Sequence, residues 1–462
     1  MTRTICLMAL FFVFVSTGCK RLYEEKATIY QYTPPPAKPI SDAAPLSGSI
    51  KGTMLTGKVY TVSGDIFVNR GDTLIMQPGV IVNMTNRAGI IVQGVFASLG
   101  TRLKPNFITV QGLAKTDTPG LDPSTDPAYS AHWKGIIGDT SCKMMVLKWT
   151  HLEFGGSSYG TAVVSKVTGV SATTSFVVLF QNSKGSFVME DSWIYGATDD
   201  AVRLSNGKVA VFRNTFEKAG LNGGDCVNMK GGTVGDAAYN MFIGTATNGL
   251  KVSNKGQPIG APQTNVIMYN NTFVNGGYRQ IQTGRGADID FEEGARGMYF
   301  NNITINCKFG PRVVSTPAAD TAHMKYGNNF QYADSLAVAN QFYPVGYITR
   351  PQSTDQPLAA SFLPVPYKLG SVYNGSAAVR EVSPFFLNYP LPVPAEIKLR
   401  DISAQGNFNF RLQSSSTLLG KGNTGFSPQM AVVQSTTFGV TEYTQPGKDL
   451  GAFQYSGSGN QH

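Results

Sequence analysis

Four short runs put titratable and amide side chains at matching positions: Asp200-Ala-Val-Arg-Leu204, Asp225-Cys-Val-Asn-Met229, Asn248-Gly-Leu-Lys-Val252 and Tyr278-Arg-Gln-Ile-Gln282. Alternate residues of a strand share a face. With Val202, Val227, Leu250 and Ile281 turned inward, the outward row reads Arg203, Asn228, Lys251 and Gln282. Just ahead of it Asp200, Asp225 and Asn248 stack at a turn. Cations and amides beside acids could hold an acidic polymer, and a Lys or Arg in that setting could withdraw a proton. The candidate catalytic residues are Lys251, Arg203 and Lys230, with Asp199, Asp200 and Asp225 next to them. Stacked aspartates repel, so either Ca2+ sits between Asp200 and Asp225 or the turns splay them. The plainer reading is that Asp and Asn favour corners because they hydrogen-bond their own backbone.

A second candidate is Asp288-Ile-Asp-Phe-Glu-Glu293. If Ile289 and Phe291 face inward, Asp288, Asp290 and Glu292 line up outside with about 6.5 to 7 Å between successive positions. That separation suits inverting glycoside hydrolysis, in which acid and base leave room for a water, and it would suit Ca2+ too. The alternative is a solvated face, or a partner for Arg279, Arg285 and Arg296. Asn228, Gln282, Arg285, Asp288, Asp290 and Glu292 are therefore the candidate ligand-binding residues. The four histidines, His132, His151, His323 and His462, form no nucleophilic triad, and no glycine loop is built to cradle a phosphate.

The elements that must position these groups are read from repetition. Val188-Met-Glu-Asp-Ser-Trp-Ile194, Val211-Phe-Arg-Asn-Thr-Phe216, Ala238-Tyr-Asn-Met-Phe-Ile243, Ile267-Met-Tyr-Asn-Asn-Thr-Phe-Val274 and Met298-Tyr-Phe-Asn-Asn-Ile-Thr-Ile305 are versions of one unit. Each is an apolar strand, an Asn or Asp, and a second apolar stretch, recurring about every 23 to 31 residues, the rhythm of a β-solenoid. One turn of that length cannot enclose a core. Turns stacked about 4.8 Å apart bury Val, Ile, Leu and Phe inside and pair each strand above and below.

On these repeats the chain resembles the right-handed parallel β-helix, or pectate-lyase-like, family over most of residues 50 to 455. The resemblance implies an all-β solenoid with irregular C-terminal coils, and a Lys or Arg base with carboxylate-bound Ca2+ if the chain is a lyase. Asp199-Asp200 also resembles the paired aspartates of the polygalacturonase family, which shares the fold. That family's Gly-His-Gly turn is absent here, and no Arg-x-Lys clamp follows Asp199-Asp200. The coils are expected over 49–310, with excursions and capping coils of the same helix over 311–462; a separate small domain between 308 and 400 is the alternative.

The first residues bear on location. Arg3, the apolar run Ile5–Val15 and Ser16-Thr17-Gly18-Cys19 read as a cleaved secretory signal over 1–18, too short to span a bilayer. The Thr-Gly-Cys ending resembles a bacterial lipoprotein signal, which implies that Cys19 is lipidated and anchors the chain, and the acidic pair Glu24-Glu25 soon after it resembles the export tags that send some such lipoproteins to the outer face of the outer membrane. Residues 19–48, polar and proline-rich, read as a disordered linker. Cys142, Cys226 and Cys307 are too few for a disulfide framework and read as buried apolar groups.

The net charge of +9 in 462 residues is thinly spread, with 15% charged residues. No Lys/Arg block is interleaved with stacking aromatics, so nucleic acid is not an expected partner. The expectation is an envelope lipoprotein whose β-helix binds polysaccharide or an envelope protein without chemistry. The alternative is a polysaccharide lyase or glycoside hydrolase acting on acidic glycans.

Overall fold

The computed structural model describes residues 32–116, 121–282, 285–314, 317–335, 338 and 384–462. Cys19 and the segment before Tyr32 lie outside the described residues. The chain is a parallel β-helix: one ten-stranded sheet and one nineteen-stranded assembly, all of parallel strands. The larger assembly is two faces joined at a bend, so each coil has three. The first face holds strands such as Ser186–Glu190, Lys208–Phe212 and Val234–Ala238. The second holds Trp193–Ala197, Thr215–Ala219 and Thr272–Val274, and the third Val202–Ser205, Val227–Lys230, Leu250–Ser253 and Ile289–Glu292.

Alternation decides what fills the tube. Val202, Val227 and Leu250 pair in register and are fully buried. On the second face Phe216, Phe242 and Phe273 stack nearly parallel, with centroids 5.0 and 4.9 Å apart. At Gly249 an added Cβ would lie 2.3 Å from the Phe273 ring, so the stack excludes any side chain there.

Except in the first repeat, where Ser192 takes the place, an Asn lies at the corner between the first and second faces. Asn214, Asn240, Asn271, Asn302 and Asn329 form an internal ladder. Each of the first four donates through Nδ2 to the next one's Oδ1, at 2.9–3.0 Å, and to a carbonyl one coil back. The residue before each Asn is left-handed, from Asn328 at φ 50° to Asn301 at 62°. That conformation turns the chain sharply while the amides satisfy the corner's backbone groups.

Three expectations about boundaries change. The coils run on past 310, to the strand Phe330–Tyr332. Residues 32–48, expected as linker, are docked: Tyr32 hydrogen-bonds Thr73, Pro39 bridges Thr53, and Leu46–Ser49 pairs with Val59–Val68. Among the described residues the C-terminal stretch adds no further stacked coil. Phe386–Asn388 pairs antiparallel with Asn409–Leu412, residues 426–443 run along the outside of the first face, and Ala452, Asn460 and His462 reach the corner and the second face. Val432, Phe438, Val440 and Tyr443 cover the first face's apolar outer row, including Val188, Phe212 and Tyr269.

Candidate functional site

The outer row of the third face changes character along the helix. Its first members, Ile91, Ile137 and Leu179, are apolar because a loop bearing the short helix Gly160–Val164 covers them with Tyr159, Val163, Val167 and Phe176. Where this cover ends the row turns polar: Arg203, Asn228, Lys251, Asp290 and Arg312 pair in sequence.

The structure thus brings together Asp200, Arg203, Asp225, Asn228, Lys251, Asp290 and Glu292, and departs from the sequence reading in three places. Gln282 does not follow Lys251 in the row; Asp290 does. Tyr278–Gln282 is loop, with Arg279 turned onto the carbonyls of Ala219 and Gly220 and Ile281 76% exposed rather than inward. Arg285 lies in the same loop. The run Asp288-Ile-Asp-Phe-Glu has the better apolar alternation and takes the strand.

Asp288 does not face outward with Asp290 and Glu292. It precedes the strand, where Gly249 stands one coil earlier, and enters the tube. There it accepts hydrogen bonds from Tyr299 (2.9 Å) and Thr304 (2.6 Å). Thr304 continues the phenylalanine stack in register with Phe273. Burial pushes the Asp288 carboxyl up to about 7, against these hydrogen bonds.

The stacked aspartates are reconciled by amides and a guanidinium. Asp200 accepts from Arg203 Nε at 2.6 Å and from the Asp225 backbone N–H at 2.8 Å. Asn228 Nδ2 bridges Asp200 at 3.1 Å and Asp225 at 2.7 Å, and Asn248 caps the other oxygen of Asp225 at 2.7 Å. Burial, then the Asp200 charge, raises Asp225 to about 7, and the same two causes raise Asp199 to about 6. These oxygens already accept from protein donors, unlike the open oxygen cage of six to eight ligands that Ca2+ takes. Among the described residues no group of three or more His, Cys, Asp or Glu is placed to hold a metal.

Further along, Lys251 pairs with Glu292 at 2.8 Å and Asp290 at 3.5 Å, and Arg312 with Asp290 at 2.7 Å. Burial alone would lower the Lys251 pKa, but Asp290, Asp225 and Glu292 outweigh it and raise it. Lys251 is held as a cation, a poor base. Lys230, one strand position on from the row, behaves oppositely: burial, then Arg203 and Lys251, lower its pKa. Asn228 Oδ1, Asp290 Oδ1 and Arg312 Nε are buried without a partner among the described residues.

Beside Arg203 the cover loop and the face enclose a recess of about 460 Å³, lined by Thr174, Phe176, Leu179, Gln181, Arg203 and Ser205. The Arg203 guanidinium lies 4.3 Å from the centre of the Phe176 ring. The sequence reading missed Phe176, Gln181, Ser205 and Arg312. Extending the register one strand beyond Asp290 would have found Arg312; the lining of the recess depends on how a loop folds back, which no period encodes. No protein-family model, curated protein or solved structure matches the chain.

Proposed function

We propose that this is a cell-envelope lipoprotein, tethered through Cys19 to the outer membrane at the cell surface, whose β-helix binds a polysaccharide in the third-face recess without catalysis. The observation that carries the reading is the recess itself. A hydroxyl, amide and guanidinium lining over an apolar floor of Phe176 and Leu179 suits a sugar ring, which offers hydroxyls at its edge and C–H groups on its faces. The neutralised row supports the absence of chemistry, since Lys251 is paired and protonated. One observation favours the lyase alternative: the lowered pKa of Lys230 makes it the candidate base.

The test incubates residues 32–462, one compact unit, with uronate-containing and neutral glycans, following retention in affinity electrophoresis and the appearance of unsaturated or reducing ends. Retention without product is expected. Ser205→Trp, which fills the recess, should abolish retention, and Gln181→Ala should weaken it about fivefold, the worth of one hydrogen bond. Product that disappears in Lys230→Met would replace this reading with the lyase; retention unaltered in Ser205→Trp would move the site elsewhere.

A further inference from the structure

We propose that the corner between the first and second faces, in the first three coils, lies against an anionic lipid surface. This rests on the tethered reading above and adds which part of the molecule meets the membrane. Val59, Ile81 and Phe107 form one outward row in register. Val59 is 48% exposed, and Ile81 and Phe107 are half-buried. Beside that row the turns of successive coils stack: Gly57 N–H donates to the Pro78 carbonyl at 3.2 Å, and Gly79 N–H to the Lys104 carbonyl at 3.0 Å. The third of these turns is Thr101-Arg102-Leu103-Lys104, all exposed, with Leu103 92% exposed. A leucine held out between two cations, beside the Val59, Ile81 and Phe107 row, suits a lipid headgroup layer, which takes the leucine below its phosphates and the cations among them.

Charge and the path of the chain choose this occupant. Between residues 32 and 109 seven Lys or Arg stand against three Asp. All three acids are already paired: Asp42 with Lys58, Asp65 with Lys134 and Asp72 with Lys51. No ion pair among the described residues engages Arg102 or Lys104. Tyr32, where the described chain begins, is hydrogen-bonded to Thr73, and its ring lies 4.7 Å from that of Phe438. Thr73 opens the strand that runs into the Pro78–Gly79 turn, about 16 Å along the chain. The residues from Cys19 to Tyr32 reach at most about 45 Å. An anchor on Cys19 therefore lets this corner reach the bilayer, while the last coil stands about 40 Å further along the helix axis at one strand spacing per coil.

The test replaces the lipid by an N-terminal hexahistidine tag on residues 32–462, held on vesicles containing nickel-chelating lipid. An environment-sensitive fluorophore is placed at Leu103→Cys or, as control, at Ile259→Cys, which is equally exposed on another loop; the three native cysteines of this unit are buried. On phosphatidylglycerol-rich vesicles the label at 103 should shift to the blue and be quenched by a lipid-borne quencher, and the label at 259 should not. Without the tag, Arg102→Glu with Lys104→Glu should reduce sedimentation with the same vesicles by about twentyfold or more, at roughly fivefold per cation. An unchanged spectrum at 103, or an equal response on phosphatidylcholine alone, overturns the proposal. Lipidation of Cys19 is read separately, from the mass of the membrane-extracted full chain, so loss of either reading is recognised without the other.

Discussion

At the scale of single residues the most consequential group is Asp288, a carboxyl inside an otherwise apolar tube. Its folded pKa is about 7 against an ordinary 3.8, with burial as the cause. A raised carboxyl stabilises the fold fully below the unfolded value, and that stability is lost as pH climbs from about 4 through 7, because the unfolded chain releases its proton first. Three units correspond to about 4 kcal/mol. Asp288→Asn keeps an oxygen for Tyr299 and Thr304 and cannot ionise. Its melting temperature should match the parent near pH 4 and below and exceed it at pH 8, with the gap opening between. A gap that is constant across that range would mean that the buried carboxyl does not titrate there. Asp225, raised to about 7 by burial and Asp200, adds a slope of the same sign that persists in the variant.

At the scale of elements, stability resides in the corners as much as in the strands. Asn271 donates to Ala237 O and Asn302 Oδ1 and accepts from the Asn240 backbone N–H and Nδ2. Asn271→Ala leaves those buried partners unmet, and at 1–3 kcal/mol for each unsatisfied group the loss should be about 3 kcal/mol in a denaturant melt. Half-buried Asn69, which is not left-handed and whose side chain donates to the Ser49 hydroxyl, should tolerate Ala with less than about 1 kcal/mol. Equal losses at both positions would show that the ladder contributes nothing special. The repeats were legible because each carries an Asn, or in the first Asp191, after an apolar strand, and the superposition of Val202, Val227 and Leu250 follows from it. The next coil was not legible in the same way. Loop 276–288 is longer than the three before it at that corner, and Tyr-Arg-Gln-Ile-Gln offers one apolar residue at a plausible position. Local pattern therefore could not show that pairing skips to Ile289, which carries Gln282 out of the row and Asp290 into it. The inward turn of Asp288 was hidden for a related reason: strand alternation does not apply at the corner residue before the strand.

At the scale of the whole molecule a coil stack shares its stability between neighbours, yet residues 423–462 tie distant coils together along one side. The tie is made by buried charge. Glu190, fully buried, accepts from the Thr441 backbone N–H and hydroxyl at 3.0 and 2.9 Å and pairs with Lys148 and Arg213, each at 3.3 Å. Lys148 in turn donates to Ser435 O and Thr436 O, Arg213 to the Thr444 hydroxyl, and Asp236 accepts from the N–H groups of Gln429 and Met430. Removing one member of such a cluster strands the others without water, so Glu190→Ala should cost about 3 to 5 kcal/mol. Removing the strap altogether bares Val188, Phe212 and Tyr269 as part of an apolar outer face. A chain ending at residue 422 is thus expected to keep its far-ultraviolet β signature but to associate in size-exclusion chromatography. A stable monomer would mean that the coil stack is soluble by itself and that the strap serves some purpose other than covering it.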